Sequence, residues 1–327
     1  MWTQAVNYRN RGVAIIARAS RLVLIILLLH PVQVRAGSLT YTLSGLEGEV
    51  RQNVLAWLGA EPDTTEDRLN FIVSARERVQ SSLRAVGYYR PSIDIDLQRI
   101  DPVWKLAITV DQGKAVHFRN IEINLVGPAQ EDQEFTGLVD NTAPAPGDVL
   151  HHGRFDNFRN SLLTLAQQRG YFDAQISRSR VEVKASAGTA DLFIQFDSGP
   201  RYRFGEILSD PALATPSLLT NLASFAPGDL YEQNKLQALQ GQLQHTGFFS
   251  TIVVQPKHEK AENGQVPIAV DLRAAPRHSF AAGIGYSTDT EERLSLTWRT
   301  PRINRYGHSQ ETRLEFSRVN PSGRITY

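Results

Sequence analysis

Residues 155–172 read Phe155-Asp-Asn-Phe-Arg-Asn-Ser-Leu-Leu-Thr-Leu-Ala-Gln-Gln-Arg-Gly170-Tyr171-Phe172. Phe155, Phe158, Leu162 and Leu165 recur at steps of three and four, which predicts one apolar helical face. Gly170 follows at once, where a helix C-terminus takes a left-handed residue that costs glycine no Cβ clash. The same ending returns at Gly87-Tyr88-Tyr89 and Gly247-Phe248-Phe249, so the copies lie 83 and 77 residues apart. Before Gly87 the apolar positions are Leu69, Ile72, Val73, Val79, Leu83 and Val86; before Gly247 they are Leu236, Leu239 and Leu243. Self-similarity at such a period marks a repeated module. The triplets themselves read as core anchors and helix stops.

Downstream of each triplet the apolar period changes to two. Ile93, Ile95 and Leu97, then Leu106, Ile108 and Val110, predict two half-buried strands joined by a turn at Asp101-Pro102. Leu192, Ile194 and Phe196 repeat the closing strand, as do Ile268, Val270 and Leu272. The junctions repeat too: Asp111-Gln112-Gly113 precedes Val116 and Phe118, and Asp197-Ser198-Gly199 precedes Tyr202 and Phe204. In both copies the apolar parity slips after the Phe, which predicts a bulge in the opening strand. Pro146-Gly147-Asp148 and Pro227-Gly228-Asp229 lead into the long helices, with each Asp expected as an N-cap. The chain is therefore read as α+β, with three tandem β-α-α-β-β modules at 37–112, 113–198 and 199–275.

The two ends differ. Arg9, Arg11, Arg18 and Arg21 precede the eight-residue apolar run 22–29, and Val34-Arg35-Ala36 offers a cleavage site. This is the layout of a secretory signal peptide, 1–36. A spanning helix needs about twenty apolar residues; an uncleaved signal anchor is the alternative. Removing 1–36 takes five arginines and no acids, leaving 35 − 5 = 30 basic residues against 34 acidic, a charge of −4. At the other end, Phe280, Ala282, Ile284 and Tyr286 alternate with Ala281, Gly283, Gly285 and Ser287. Leu294, Leu296 and Trp298 alternate with arginines and small polar residues, and Leu314 and Phe316 with Arg313 and Glu315. Strands of about ten residues with one apolar and one charged face are the pattern of an antiparallel transmembrane β-barrel. Residues 276–327 are read as its first strands, with Arg293, Arg299, Arg313 and Glu315 facing the lumen. Three and a half strands cannot close a barrel, so the chain is expected to be a portion of a longer protein or a truncated gene.

Composition removes several function classes. There are no cysteines, which excludes disulfides, thiolate zinc sites and cysteine nucleophiles. The balanced charge argues against a nucleic-acid binder. His151 and His152 with Asp148 and Asp156 form the compact His/Asp group, but adjacent helical residues point about 100° apart, too divergent for a metal site. No Gly-x-Ser-x-Gly elbow or Walker-type loop occurs. The expectation is a protein without catalytic residues, cofactor or metal.

The Gly-aromatic triplets, Asp197-Ser-Gly-Pro-Arg-Tyr-Arg-Phe204, Gly283-Ile-Gly-Tyr-Ser-Thr-Asp289, Arg293-Leu-Ser-Leu-Thr-Trp-Arg-Thr-Pro301 and Asn304-Arg-Tyr-Gly-His-Ser309 together resemble the TamA (translocation and assembly module) family. That family belongs to the outer-membrane insertase superfamily that also includes BamA. The modules then look like POTRA domains, and the count of three favours TamA over BamA. The resemblance implies the sheet order first–third–second, with exposed second-strand edges at 92–98, 174–183 and 251–255. An edge accepts an extended client as a further strand, and Thr251, Ile252, Val253, Val254 and Gln255 form the stickiest edge, whereas Arg178 and Arg180 deter pairing. The first barrel strand, with Phe280, Ala282, Gly283, Ile284, Gly285 and Tyr286, is implied as the seam that opens sideways. Implied too are an outer-membrane location with periplasmic POTRA modules, a TamB-like inner-membrane-anchored partner, unfolded outer-membrane or autotransporter clients, and contact with outer-membrane lipid. The alternatives are a two-partner secretion pore, or a soluble periplasmic POTRA scaffold if the gene ends at Tyr327.

Overall fold

The computed structural model describes residues 38–100, 103–287, 291–303, 308–318 and 321–327. The predicted signal segment and the Asp101-Pro102 turn lie outside these residues, as do parts of the turns after Ser287, Ile303 and Arg318. The chain divides into two compact units, one running to Ala115 and the other from Val116 onward.

The first unit is a single module: β1 (Ser38–Ser44), α1 (Gly48–Leu58), α2 (Thr65–Ala85), β2 (Ser92–Gln98) and β3 (Val103–Asp111). Its sheet order is β1-β3-β2, with β1 parallel and β2 antiparallel to the central β3. Thr64 caps α2 by accepting the Asp67 N–H at 3.1 Å, and Gly87 past its end takes φ 96°. The buried face of α2 keeps the predicted Val79 and Leu83, with Val86 just past its end and Ile72 packed at its margin, but not Leu69 or Val73. Leu69 and Val73 are exposed, while Arg68, Phe71, Ala75, Val79, Ser82 and Leu83 are buried. Phe71 stacks on Tyr41, and the Arg68 guanidinium lies 3.7 Å from the Trp104 ring centroid. Both contacts lie on the buried side of the helix, opposite the exposed Leu69 and Val73.

The second unit holds two more modules. One comprises β4 (His117–Val126), a 3-10 turn, α3 (Gln133–Thr142), α4 (His152–Arg169), β5 (Gln175–Lys184) and β6 (Thr189–Asp197). The next comprises β7 (Arg203–Ser209), α5 (Pro216–Leu222), α6 (Gln233–Thr246), β8 (Phe249–Pro256) and β9 (Gln265–Ala274). Their sheet orders are β4-β6-β5 and β7-β9-β8. The expected bulges follow Phe118 and Phe204, where the register of the opening strand shifts against its neighbour. Both phenylalanines are buried.

The Pro-Gly-Asp segments do not cap helices. His151 and Glu232 occupy the N-cap positions of α4 and α6. Asp148 and Asp229 instead close their own turns, accepting the N–H groups of Ala145 and Ala226 at 2.8 and 2.9 Å. Each turn pairs back onto the opening strand: Gly147 N–H donates to Phe118, and Gly228 N–H to Phe204, both at 2.7 Å. The sequence spacing located the turns but not the strand that claims them.

The last strands, β10 (Ser279–Ser287), β11 (Glu291–Thr300), β12 (Gln310–Ser317) and β13 (Ser322–Thr326), form an open antiparallel sheet in that order. The described residues form no closed barrel.

Candidate functional site

A sheet edge presents unpaired backbone groups that an extended segment can meet. In every module the outer side of the opening strand is already occupied by the segment between the helices. Leu39 N–H donates to Pro62 O at 3.0 Å, Phe118 N–H to Asp148 O at 2.9 Å, and Phe204 N–H to Asp229 O at 2.8 Å. The available edge therefore passes to the second strand, β2, β5 or β8.

These three edges are not equivalent. On β2, Arg76 from α2 donates to the Ile93 carbonyl at 2.6 Å. On β5, Arg178 lies 4.8 Å from the Phe193 ring centroid and Arg180 pairs with Glu182 at 3.2 Å. On β8, Thr251, Ile252, Val253, Val254 and Gln255 carry no charge. The backbone parity of β8 can be read from its end. Lys257 N–H donates to Pro267 O at 2.9 Å, so alternation in an antiparallel ladder makes Gln255/Ala269, Val253/Asp271 and Thr251/Arg273 the hydrogen-bonded pairs. Ile252 and Val254 thus turn their N–H and C=O groups outward, with their side chains packed on the module core.

The second Gly-aromatic triplet does more than anchor a core. Tyr171 is buried in its own module, against Phe135. Phe172 leaves it for the next module, where its ring meets Tyr231 edge-on at 4.9 Å and stacks on His258 at 5.7 Å. Gly170, at φ 82°, has no room for a side chain: a Cβ would lie 2.7 Å from Tyr231 Cβ. Its carbonyl accepts the Tyr202 N–H at 2.8 Å.

Beneath this junction Asp132, its side chain 3% exposed, caps α3 and accepts from Arg169 at 2.7 Å. Tyr171 O–H donates to the same carboxylate at 3.2 Å, and Arg201 from the following linker pairs with it at 3.4 Å. Burial pushes the Asp132 carboxyl up, but the Arg169 hydrogen bond, the Glu134 N–H and the two arginine charges outweigh it and hold it below the usual carboxylate range. Asp132 was not singled out by sequence, and Phe172 was read as a core anchor rather than as a contact to the next module. The repeated junction motif contained Arg201, but nothing in its pattern named the acid it would meet.

The third arrangement is the sheet β10–β13. Its two faces separate by chemistry. Arg299 donates to Glu311 at 2.9 Å, Arg293 pairs with Glu315, and Arg313 lies 3.6 Å from Glu315. On the opposite face Phe280, Ile284, Tyr286, Leu294, Leu296, Trp298, Leu314, Phe316 and Ile325 are all exposed, Ile284 to 92%. That is far more contiguous apolar surface than scattered surface residues would give. The expected seam residues Phe280, Ala282, Gly283, Ile284, Gly285 and Tyr286 lie on β10, an edge strand of this sheet. At Gly283 a Cβ would stand 2.8 Å from Ser295 Oγ, while at Gly285 nothing lies within 4 Å. His151, from the dismissed metal group, accepts the Arg154 N–H at 3.2 Å as the cap of α4. No helix among the described residues is long and apolar enough to cross a membrane.

Comparison with known proteins bears on these modules directly. Residues 40–112 match the family described as POTRA domain TamA domain 1, and residues 213–274 match the POTRA family described as surface antigen variable number repeat. Among solved structures, BamA from Haemophilus ducreyi lacking POTRA domains 1–3 aligns at 15% identity and TM-score 0.48 over 62% of this chain. Haemophilus influenzae BamA POTRA3–5 aligns at 17% identity and TM-score 0.41, covering 74% of this chain and 99% of that one. CdiB from Acinetobacter baumannii aligns at 14% identity and TM-score 0.34, with 86% of this chain and 50% of that one covered. The chain spans 37% of the length of the H. ducreyi structure. Residues 40–112 thus match a TamA-type POTRA family and residues 213–274 a POTRA family, and the module between them shares their β-α-α-β-β plan and sheet order.

Proposed function

We propose that this protein is a non-enzymatic assembly factor of the outer membrane. Its POTRA modules stand in the periplasm and receive extended segments of β-rich clients, autotransporters among them, and a TamB-like protein is its inner-membrane-anchored partner. The sheet β10–β13 forms part of a barrel wall, its apolar face toward lipid and its ion-paired face toward the lumen. The exposed face from Phe280 to Ile325 carries this reading: its aromatic and aliphatic side chains lack cover among the described residues, and hydrocarbon is the solvent that suits them. In lipid, β10 and β13 need strand partners, since each unpaired backbone group costs several kcal/mol there. A β10 seam would open between such partners, and β8 would add a client strand through the outward groups of Ile252 and Val254.

Neighbouring residues on opposite faces of β11 test the membrane assignment. An arginine on a lipid-facing position costs about 2–4 kcal/mol near the bilayer midplane. Leu296→Arg should abolish carbonate-resistant retention of the protein in membranes. Ser295→Arg, which faces Glu315 across the ladder, should retain it. Equal retention of the two variants would overturn the assignment.

A further inference from the structure

A cavity of about 300 Å³ opens beside Val254 and Pro256, on the helix-facing side of β8. Leu236 of α6 and Phe172 of the preceding module supply apolar wall, and Gln167 and Gln237 supply amides. Every residue lining it is uncharged. We infer that this cavity accepts one side chain of the strand that adds to β8, and that it selects a neutral ring with a polar tip, such as tyrosine.

The inference rests on the strand-addition reading and follows from sheet geometry. Directly opposed residues of neighbouring strands share a face. Val254 packs its side chain against the module core and turns its backbone outward. A client residue paired with Val254 or Pro256 therefore points its side chain to the cavity side. Apolar walls take the ring, and amides from two modules meet its hydroxyl. A carboxylate or ammonium there would shed water without meeting an opposite charge. Because Phe172 belongs to the preceding module, the acceptor is whole only while the two modules stay joined. Junction and client site are then one structure.

The test uses the full chain and fluorescently labelled ten-residue peptides of alternating threonine and valine, with a central tyrosine, alanine or glutamate, read by anisotropy. The tyrosine peptide should bind at least tenfold more tightly than the alanine peptide, with glutamate weakest. Gln237→Glu should weaken the tyrosine peptide several-fold and favour a lysine-centred one. Val254→Pro, which deletes an outward N–H and leaves the β8–β9 bonds in place, should abolish binding of all. If Val254→Pro abolishes binding while the three peptides bind within twofold of each other, strand addition stands and the acceptor is refuted. If Val254→Pro leaves the tyrosine peptide bound, strand addition at β8 fails and this inference falls with it.

Discussion

Replacing Asp132 by alanine would open the junction between the second and third modules. The carboxylate is 3% exposed and Arg169 and Arg201 are 23% and 15% exposed, so the substitution leaves two guanidinium groups close together with little water. Removing one member of a buried pair costs about 3–5 kcal/mol. Loss of the α3 cap adds about 1 kcal/mol, while residual solvent at Arg169 and the Tyr171 ring, 5.6 Å from Arg201, offset a similar amount. The expected cost is about 4 kcal/mol, close to a thousandfold at about 1.4 kcal/mol per decade. Asp132→Asn keeps the Oδ1 that caps α3 but replaces Oδ2, the acceptor for Arg169 and Tyr171, by an amide donor, so only the roughly 1 kcal/mol of the cap is expected to be spared.

Denaturant unfolding of the full chain gives the size of the loss, and hydrogen exchange across residues 166–204 gives its place. The folded carboxyl is held below its ordinary range, so its stabilisation is complete above the unfolded value of about 4 and fades as pH falls through the folded one. The gap between wild type and Asp132→Asn should therefore close on acidification. A gap that stays constant from neutral pH to strong acid, or an alanine variant within about 1 kcal/mol of wild type, would refute the reasoning.

Two paired substitutions probe the packing elsewhere. Gly170→Ala combines positive φ with a 2.7 Å approach to Tyr231, whereas Gly247→Ala meets positive φ alone with nothing within 4 Å; the second should cost about 1 kcal/mol and the first distinctly more, and equal melting temperatures would contradict this. In the first module Phe71→Ala should cost about 3–5 kcal/mol and Val73→Ala, at 84% exposure, under about 0.5 kcal/mol, as read by the denaturant midpoint.

The module plan was legible because its signals are local. A change of period from helical to alternating, a glycine at each helix end, and slipped parity after Phe118 and Phe204 need no knowledge of what lies opposite. Two positions of the α2 face, Leu69 and Val73, were misread for the converse reason. Leu69 and Val73 are more apolar than Arg68 and Ser82, but Trp104 and Tyr41, distant in sequence, decide which side is covered. Asp132 was invisible on the same ground: its partners Arg169 and Arg201 lie 37 and 69 residues on, and no short motif encodes a pair at that range. The role of Asp148 and Asp229 failed more narrowly. Aspartate before a helix is a fair cap, but three further residues separate each from its helix, and the bulged opening strand takes the turn instead.

The junction motif itself shows why one sequence pattern serves two ends. Pro200-Arg201-Tyr202-Arg203-Phe204 and Pro276-Arg277-His278-Ser279-Phe280 both start a strand with an apolar ring at the same offset. Phe204 is fully buried, stacked on Phe225 at 3.9 Å beneath the helices that follow β7. Phe280 is 75% exposed and stacks on Trp298 across the ladder. The difference is made by what comes next. After β7 two helices return over the sheet and bring apolar side chains down on it. After β10 the chain turns straight into β11, so each further strand widens the apolar face rather than covering it. A strand of this kind has two remedies, a partner protein or a bilayer. Arg293, Arg299 and Arg313 pair with Glu311 and Glu315 on the opposite face, so those three charges are met within the sheet while the apolar side stays exposed.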